Sequence, residues 1–247
     1  MSFDHFRQYT QARIGLGNVG AGLPTKAWLD FSYQHAAAVD AIRAPWDIDQ
    51  SAQALKAIGL NTQLLQSDVS NREEYLLRPD LGRRLNEASK KSVNHGIKST
   101  GQTLMLIASN GLSSFAVANH LTPFLAVLSA ELRASNIALT SNCVFLIPDA
   151  RVAITDDLGE QLKPELGIIL IGERPGLSSP DSLALYLTHT PKQGRSDANR
   201  NCISNIRIPH GLSYEEAAFK AMFLIRASIE RGLSGVNLKD ESNLLTD

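Results

Sequence analysis

The sequence predicts an α/β fold, in which a helical N-terminal region of residues 1–100 precedes a mostly parallel sheet domain of residues 101–247. The first observation behind this prediction is a set of short, continuous apolar runs after Gly101, which are typical of strands buried on both faces. The second is that segments with apolar residues at spacings of three and four, the pattern of amphipathic helices, lie between these runs. Alternation of the two element types favours helices packed on a parallel sheet.

Helices dominate the prediction for the first hundred residues. Thr25 is a good N-cap for a helix whose apolar face includes His35 and which stops at Pro45. That position predicts a core role for His35 rather than a ligand role. A second helix is predicted over 49–58, and a third follows Pro79.

Strands and helices alternate through the rest of the chain. Buried strands are predicted at 103–108, 143–147, 167–171 and 183–187. Helices are predicted at 113–133 with an interruption at Pro123, around Ile154, Leu158 and Leu162, and at 214–231. In an open parallel sheet, ligands bind beyond the carboxyl ends of the strands, so the loops at those ends are the candidate binding loops.

Charge and composition narrow the classes of function. The 247 residues include 24 basic and 25 acidic side chains, for a formal net charge of -1. Because binding to nucleic acid or to a membrane surface needs a basic excess, we expect neither partner. The longest continuous apolar runs are too short to span a bilayer, and the N-terminus lacks the apolar run of a signal peptide. The two cysteines, Cys143 and Cys202, lie far apart, which favours a reduced cytoplasmic protein over a disulfide framework.

Three loops predicted at strand ends are rich in small and polar residues, chiefly Gly and Ser with Asn or Asp: 109–114, 172–182 and 194–205. The last two also hold the arginines Arg174, Arg195 and Arg200. Such mixed donors and acceptors suit a large ligand that carries many amides and one phosphate. The same residue types also form ordinary surface turns, so composition alone does not name a ligand.

Two other motifs indicate different chemistry. The stretch 15–20 matches the glycine pattern of dinucleotide sites, but no buried strand precedes it and Asp40 falls inside a helix, so a flexible loop is the better interpretation. Cys202 fits a nucleophile with His189 or His210 as its base, although a packed loop cysteine is the favoured interpretation. The six histidines show no metal-ligand spacing.

Several runs of the sequence match the residue strings of one known family. The two most specific runs are 170–182 and 201–206, whose residue choices are not dictated by secondary structure. Shorter matching runs lie in the family order at 23–25, 75–84, 111–113 and 151–154. On these runs the sequence resembles the family of the ethanolamine ammonia-lyase small subunit, or light chain, and the resemblance covers most of the chain, from about Ala12 to Asp240.

The resemblance implies a function that needs a partner subunit. Enzymes of this family convert ethanolamine to acetaldehyde and ammonia by a radical mechanism that starts with homolysis of the cobalt–carbon bond of adenosylcobalamin. The resemblance implies a Rossmann-like small subunit with helical N-terminal elements, a large TIM-barrel subunit that holds ethanolamine, and cobalamin between the two. Several such pairs form a hetero-oligomer. The alternatives are a stand-alone Rossmann-like enzyme and a non-catalytic scaffold subunit.

By motif match, the resemblance implies cobalamin contacts at Val152, Glu173 and Cys202, with Arg151 as an additional contact. It assigns no catalytic residue and no metal ligand to this chain. The main chain at Val152 or Cys202 and the carboxylate of Glu173 suit the amides of a corrin. The sequence lacks the Asp-x-His-x-x-Gly run with which related cobalamin modules replace the nucleotide base on cobalt, so we expect the cofactor to keep its own base.

The sequence also departs from the family pattern. Asn110 stands where an Asp usually precedes Gly-Leu-Ser, and Val39 replaces a common Arg. Many family members carry a long N-terminal extension that directs them into a bacterial microcompartment, whereas the match here begins near Ala12. We therefore expect a cytoplasmic protein, and its encapsulation in a microcompartment stays open.

Overall fold

The computed structural model describes residues 5–6, 9–10, 12–93 and 103–242. The helices are α1 Thr25–Arg43, α2 Ile48–Ala57, α3 Arg72–Leu77, α4 Glu87–Ser92, α5 Ser114–Ala134, α6 Ile154–Leu162 and α7 Tyr214–Arg231. The strands are β1 Thr62–Leu64, β2 Thr103–Ser109, β3 Ala138–Leu146, β4 Leu166–Gly172, β5 Leu183–His189 and β6 Arg200–Ile206. Short 3-10 turns lie at Leu81–Arg83, Asp197–Asn199 and Gly235–Asn237.

The strands form one sheet in the order β1-β3-β2-β4-β5-β6. β1, β3, β2 and β4 are parallel, whereas β5 is antiparallel to both of its neighbours. The prediction of an α/β fold with a mostly parallel sheet is therefore confirmed. The strand predicted at 183–187 exists as β5, but it reverses direction. The chain between β4 and β5 forms a hairpin loop without a helix, whereas a parallel crossover needs a dozen or more residues.

Two strands, β1 and β6, are absent from the sequence prediction. β1 has three residues, too few for a period to show in the sequence. In β6, Ile203 is buried while Cys202 and Ser204 are exposed. Polar residues therefore alternate with apolar ones, and this segment was predicted to be a loop. Both strands lie at the edges of the sheet, where one side of the strand has no neighbouring strand.

In the N-terminal region, α1 and α2 match predicted helices, although the N-cap of α1 is Pro24 and not Thr25 as predicted. The third predicted helix is divided. α3 ends before Pro79 and α4 begins well after it. Between them, the main-chain N–H of Leu85 donates to Oδ2 of Asp157 at 2.8 Å, and that of Asn86 donates to the carbonyl of Gln66 at 3.1 Å. These long-range bonds replace helical ones.

The division of the chain at residue 100 stays a prediction, although β1 brings a strand from the first hundred residues into the sheet.

α1 is amphipathic but largely uncovered. Its buried residues are Ala38 and Ala41, whereas Trp28 is 55% exposed. The prediction of His35 as a core residue is wrong, because its side chain is exposed and its ring lies 6.0 Å from that of Phe31. Periodicity identifies the residues that share a helix face, but it does not show whether another element covers that face.

Side chains that alternate along the strands fill a core on each side of the sheet. We call the side covered by α2, α5 and α7 the first face; it includes Leu104, Leu106 and Ala108 of β2. We call the other side the second face; it includes Met105 and Ile107 of β2 and is covered by α6 and by residues that precede β2. The sheet is therefore a central layer between two apolar clusters.

α5 is the main helix of the first face. Among the described residues it alone is long and apolar enough to cross a bilayer, but half of its most apolar window is buried within the fold. Phe124, Leu125 and Leu128 are completely buried against the sheet, which is how a core helix packs. Pro123 lies within α5 and does not interrupt it, contrary to the prediction.

Candidate functional site

The carboxyl ends of β2, β3 and β4 lie together at one end of the sheet, which we call the carboxyl rim. The antiparallel β5 begins at this rim and β6 ends there, since Leu183 pairs with both Gly172 and Ile206. Two of the predicted binding loops, 109–114 and 172–182, therefore meet at the rim, as expected for a parallel sheet.

The third predicted loop, 194–205, is placed differently. Its second half forms β6. Arg200 pairs with Thr188 near the end of the sheet that lies opposite the carboxyl rim. The prediction that this whole loop joins the other two at the carboxyl ends is wrong, because β5 reverses the chain direction. Arg195 lies beyond that opposite end of the sheet, where its Nη2 donates to the carbonyl of Thr190 at 3.2 Å.

Arg200 is buried rather than available to a ligand. Its Nη2 lies 2.5 Å from Oδ2 of Asp156 in α6, and its Nη1 donates to Oγ1 of Thr188 at 2.9 Å. The exposed fraction is 2% for the Arg200 side chain and 7% for that of Asp156. Because a buried guanidinium needs a partner, this ion pair holds α6 against β6. It covers the second face near the end of the sheet opposite the carboxyl rim.

At the carboxyl rim, the two loops pack so closely that Gly172 has no room for a side chain. A Cβ atom there would lie 2.1 Å from the carbonyl oxygen of Ser113 and 2.4 Å from that of Asn110. The main-chain N–H of Leu112 donates to the carbonyl of Gly172 at 3.0 Å. The loop after β2 thus sets the direction in which the chain leaves β4 towards Glu173.

Asn110 is a buried link between β2 and β3. Its Oδ1 accepts the main-chain N–H of Asp149 at 2.7 Å, and its Nδ2 donates to Oδ1 of Asp149 at 3.1 Å. Arg72 approaches the same carboxylate oxygen at 2.5 Å. An Asp at this position would set two carboxylates against each other, whereas the Asn amide satisfies both groups of Asp149.

Glu173 joins the ends of β4 and β6. Its Oε2 accepts the main-chain N–H of Asn205 at 2.9 Å, and its own N–H donates to the carbonyl of Ser182 at 2.9 Å. Asn205 has a left-handed backbone, with φ of 61°, which asparagine tolerates better than most residues. Arg207 supports this turn, since its Nε donates to Oδ1 of Asn205 at 3.0 Å.

Tyr186 and Cys202 form a cross-strand pair between β5 and β6 on the second face. Cys202 is exposed and Tyr186 is half-buried. Their side chains are neighbours across the two strands, and both lie within electrostatic reach of Glu173. Displacement of water by the surrounding sheet, together with that carboxylate, raises the pKa of the Cys202 thiol and of the Tyr186 phenol.

The nucleophile interpretation of Cys202 finds little support in this geometry. A raised pKa keeps the thiol protonated, whereas an activated cysteine needs a lowered one. His189 lies an odd number of residues from Tyr186 along β5, so its side chain is on the opposite face of the sheet. His210 lies in the turn after β6, where its carbonyl accepts from Arg207 at 3.3 Å.

Val152 and Arg151 precede α6 but face different surroundings. Val152 packs partly buried against the second-face cluster to which Tyr186 also belongs. The guanidinium of Arg151 lies 4.1 Å above the ring of Tyr75 in α3, and its Nη2 donates to the Tyr75 carbonyl at 3.0 Å. The Arg151 N–H donates to Gly82 at 2.7 Å. These contacts hold Arg151 against the N-terminal region, and its role as a cofactor contact stays a prediction.

A buried polar cluster on the first face was missed by the sequence reasoning. His120 of α5 has its Nδ1 2.9 Å from the hydroxyl of Tyr214 and its Nε2 3.3 Å from Oδ2 of Asp181, in the loop between β4 and β5. Asn119 also donates to that carboxylate oxygen at 3.0 Å. The adjacent polar pair 119–120 within a mostly apolar helix was the available signal.

Comparison with known proteins settles the family. The sequence model of the ethanolamine ammonia-lyase light chain matches residues 1–239. The chain belongs to the ethanolamine ammonia-lyase light chain family. The ethanolamine ammonia-lyase small subunit of Pseudomonas paraeruginosa is 48% identical over 96% of this chain and 87% of its own length. The small subunits of Pseudomonas putida and Pseudomonas syringae are 47% and 46% identical, over 97% of this chain and 88% and 83% of their own lengths.

The resemblance inferred from sequence runs is thus confirmed for this light chain family member. The structure places Tyr186, a residue that the sequence reasoning did not single out, in the strand between β4, which leads to Glu173, and β6, which holds Cys202. Val152 belongs to the same apolar cluster as Tyr186, whereas Arg174 is exposed in the loop after β4. We call the exposed area around Glu173, Tyr186 and Cys202 the open part of the second face.

Proposed function

We propose that the chain is the small subunit of an ethanolamine ammonia-lyase and that it binds adenosylcobalamin at its interface with a large subunit. The observation that carries the proposal is the open part of the second face, where Cys202 lies across from Tyr186 and Glu173 is hydrogen-bonded to Asn205 at the end of the same strand, β6. Ligands of α/β sheets bind at such rims. Family membership supports the reaction class, a carbon–nitrogen lyase that releases ammonia.

The groups in this area fit the amides of a corrin. Glu173 uses Oε2 for Asn205, while Oε1 has no hydrogen-bond partner within the described part of the chain and can accept an amide N–H. β6 is an edge strand, so the main chain at Cys202 has a neighbouring strand on one side only. Val152 adds apolar contact area. These groups bind and orient a ligand, and we assign no catalytic residue to this chain.

A site that is open on one face of a sheet needs a second polypeptide to enclose a large cofactor. We propose a TIM-barrel large subunit that also holds ethanolamine, and a hetero-oligomer of several large–small pairs. The names of the relatives as small subunits support such a partner. When bound, adenosylcobalamin supplies the radical chemistry that converts ethanolamine to acetaldehyde and ammonia, while this chain positions it and excludes water. The proposed location is the cytoplasm.

Glu173→Ala tests the site directly. We expect roughly tenfold or greater weakening of cobalamin affinity, because a hydrogen bond to a carboxylate is stronger than one between neutral groups. The measurement is an absorbance titration of the assembled two-subunit complex with hydroxocobalamin. The matched control is Glu165→Ala, which removes another half-buried glutamate just before the opposite end of β4 and should leave the affinity unchanged.

Three outcomes would count against the proposal. Equal affinity of the Glu173→Ala and parent complexes would remove Glu173 from the site. Turnover of ethanolamine by this chain alone would favour a stand-alone enzyme. Equal cobalamin affinity of the large subunit with and without this chain would favour a scaffold subunit.

A further inference from the structure

We infer that Tyr186 is a further cobalamin-binding residue, because its strand lies between β4 and β6 and its partly exposed side chain lies across from Cys202 on the second face. The inference rests on the proposed function and adds a residue to the binding set predicted from sequence. It concerns a direct contact, in which the phenol O–H donates to an acceptor on the cofactor.

The position of Tyr186 within β5 is the first argument. On the second face, its neighbours along the strand are Ala184 and Thr188, which are 0% and 1% exposed. Tyr186 is half-buried, so among these three it is the side chain that reaches the surface. Across the sheet it pairs with the buried Ile169 and with the exposed Cys202. Tyr186 therefore stands at the boundary between the covered and the open parts of the second face.

The chemistry of the phenol is the second argument. Partial burial, the Cys202 thiol and the Glu173 carboxylate all raise the pKa of Tyr186, so the group keeps its proton at physiological pH and stays a donor. The cross-strand neighbour of this phenol is Cys202, whose sulfur is a weak acceptor. An amide oxygen is a stronger acceptor, so an incoming corrin side chain would improve the hydrogen bonding of this group.

The rigidity of the strand is the third argument. Tyr186 lies in the middle of β5, which is paired on both sides, and its ring packs against the second-face cluster. The ring is therefore held in place before a ligand arrives, and little side-chain entropy is lost on binding. The site then combines an acceptor at Glu173 with a donor at Tyr186, which matches the carboxamide groups of a corrin at both their N–H and carbonyl ends.

Tyr186→Phe separates the hydroxyl from the ring. In the assembled two-subunit complex, we expect the dissociation constant for hydroxocobalamin to rise about three- to tenfold, the effect of one neutral hydrogen bond. The unfolding midpoint of the variant should stay close to that of the parent, because the ring keeps its packing. Tyr214→Phe is the matched control, since it removes the hydroxyl of another half-buried tyrosine, on the first face. Its cobalamin affinity should match that of the parent.

The outcomes distinguish this inference from the proposed function. If the parent complex binds hydroxocobalamin and Tyr186→Phe binds it equally well, the inference is wrong and the proposed function stands. If the affinity falls equally in Tyr186→Phe and Tyr214→Phe, the effect is not local to the site and the inference also fails. If binding by the large subunit does not depend on this chain at all, both the inference and the proposed function fail.

Discussion

The two faces of the sheet are covered unequally. On the first face, α5 and α7 cover the strands as far as β6, where Ile203 and Ile206 are 4% and 0% exposed. On the second face, α6 packs on β4, and the neighbouring residues Cys202 and Ser204 of β6 remain exposed. The difference leaves the second face open beside β5 and β6, which is where we propose that the cofactor and the large subunit bind.

The connections between strands explain this difference. The parallel strands β2, β3 and β4 are joined by α5 on the first face and by α6 on the second. β4, β5 and β6 are joined by antiparallel connections that contain no α-helix, so no crossover helix is available for the second face there. The helix that follows β6, α7, returns to the first face.

The largest effect is expected from removing core volume on the first face. Phe124 is completely buried, so Phe124→Ala should lower the free energy of unfolding by about 3–5 kcal/mol through the cavity it leaves. Phe219→Ala, at a side chain that is 43% exposed on α7, is the control and should cost much less. Urea unfolding of both variants measures the difference. Equal losses would mean that the first face is not the tightly packed one.

The next effect tests the covered part of the second face. Asp156→Ala leaves the guanidinium of Arg200 buried without its carboxylate and should cost about 3 kcal/mol in the free energy of unfolding. Asp80→Ala breaks the exposed ion pair with Arg78 and should cause no measurable change. If both variants were as stable as the parent, the Arg200 pair would not close the second face as we infer.

The smallest effect concerns pH. Burial lowers the pKa of His120, even though Asp181 opposes the shift, while Arg207 adds to it and the Tyr214 hydroxyl lies on the other ring nitrogen. The unfolded chain therefore binds a proton more readily at this residue, so its contribution to stability is present above a pH of about 6.5 and is lost as pH falls through the lower folded value.

His120→Gln should remove this component. Unfolding free energies measured between pH 7 and pH 5 should fall less steeply for the variant than for the parent. His35→Gln, at an exposed position on α1, is the control and should keep the parent slope. An unchanged slope in His120→Gln would show that the buried cluster does not titrate on unfolding.

Part of the fold follows from sequence patterns. The runs that form β2, the end of β3, and β4 are continuous and apolar because these strands are buried on both faces, and this made them predictable. β6 escaped prediction because its polar residues alternate at an edge. Likewise, the predicted site residues Val152, Glu173 and Cys202 came from a resemblance, whereas Tyr186 has no local signal in the sequence.

The sequence by itself determined the family, the α/β class and the candidate residues at the end of β4 and in β6, because these depend on local apolar runs and on specific residue strings. Only the tertiary structure decided that β5 reverses, which sends Arg195 to the opposite end of the sheet and places Tyr186 in the strand between β4, which leads to Glu173, and β6, which holds Cys202. Strand direction and helix coverage depend on contacts between residues far apart in the chain, and local patterns do not record such contacts.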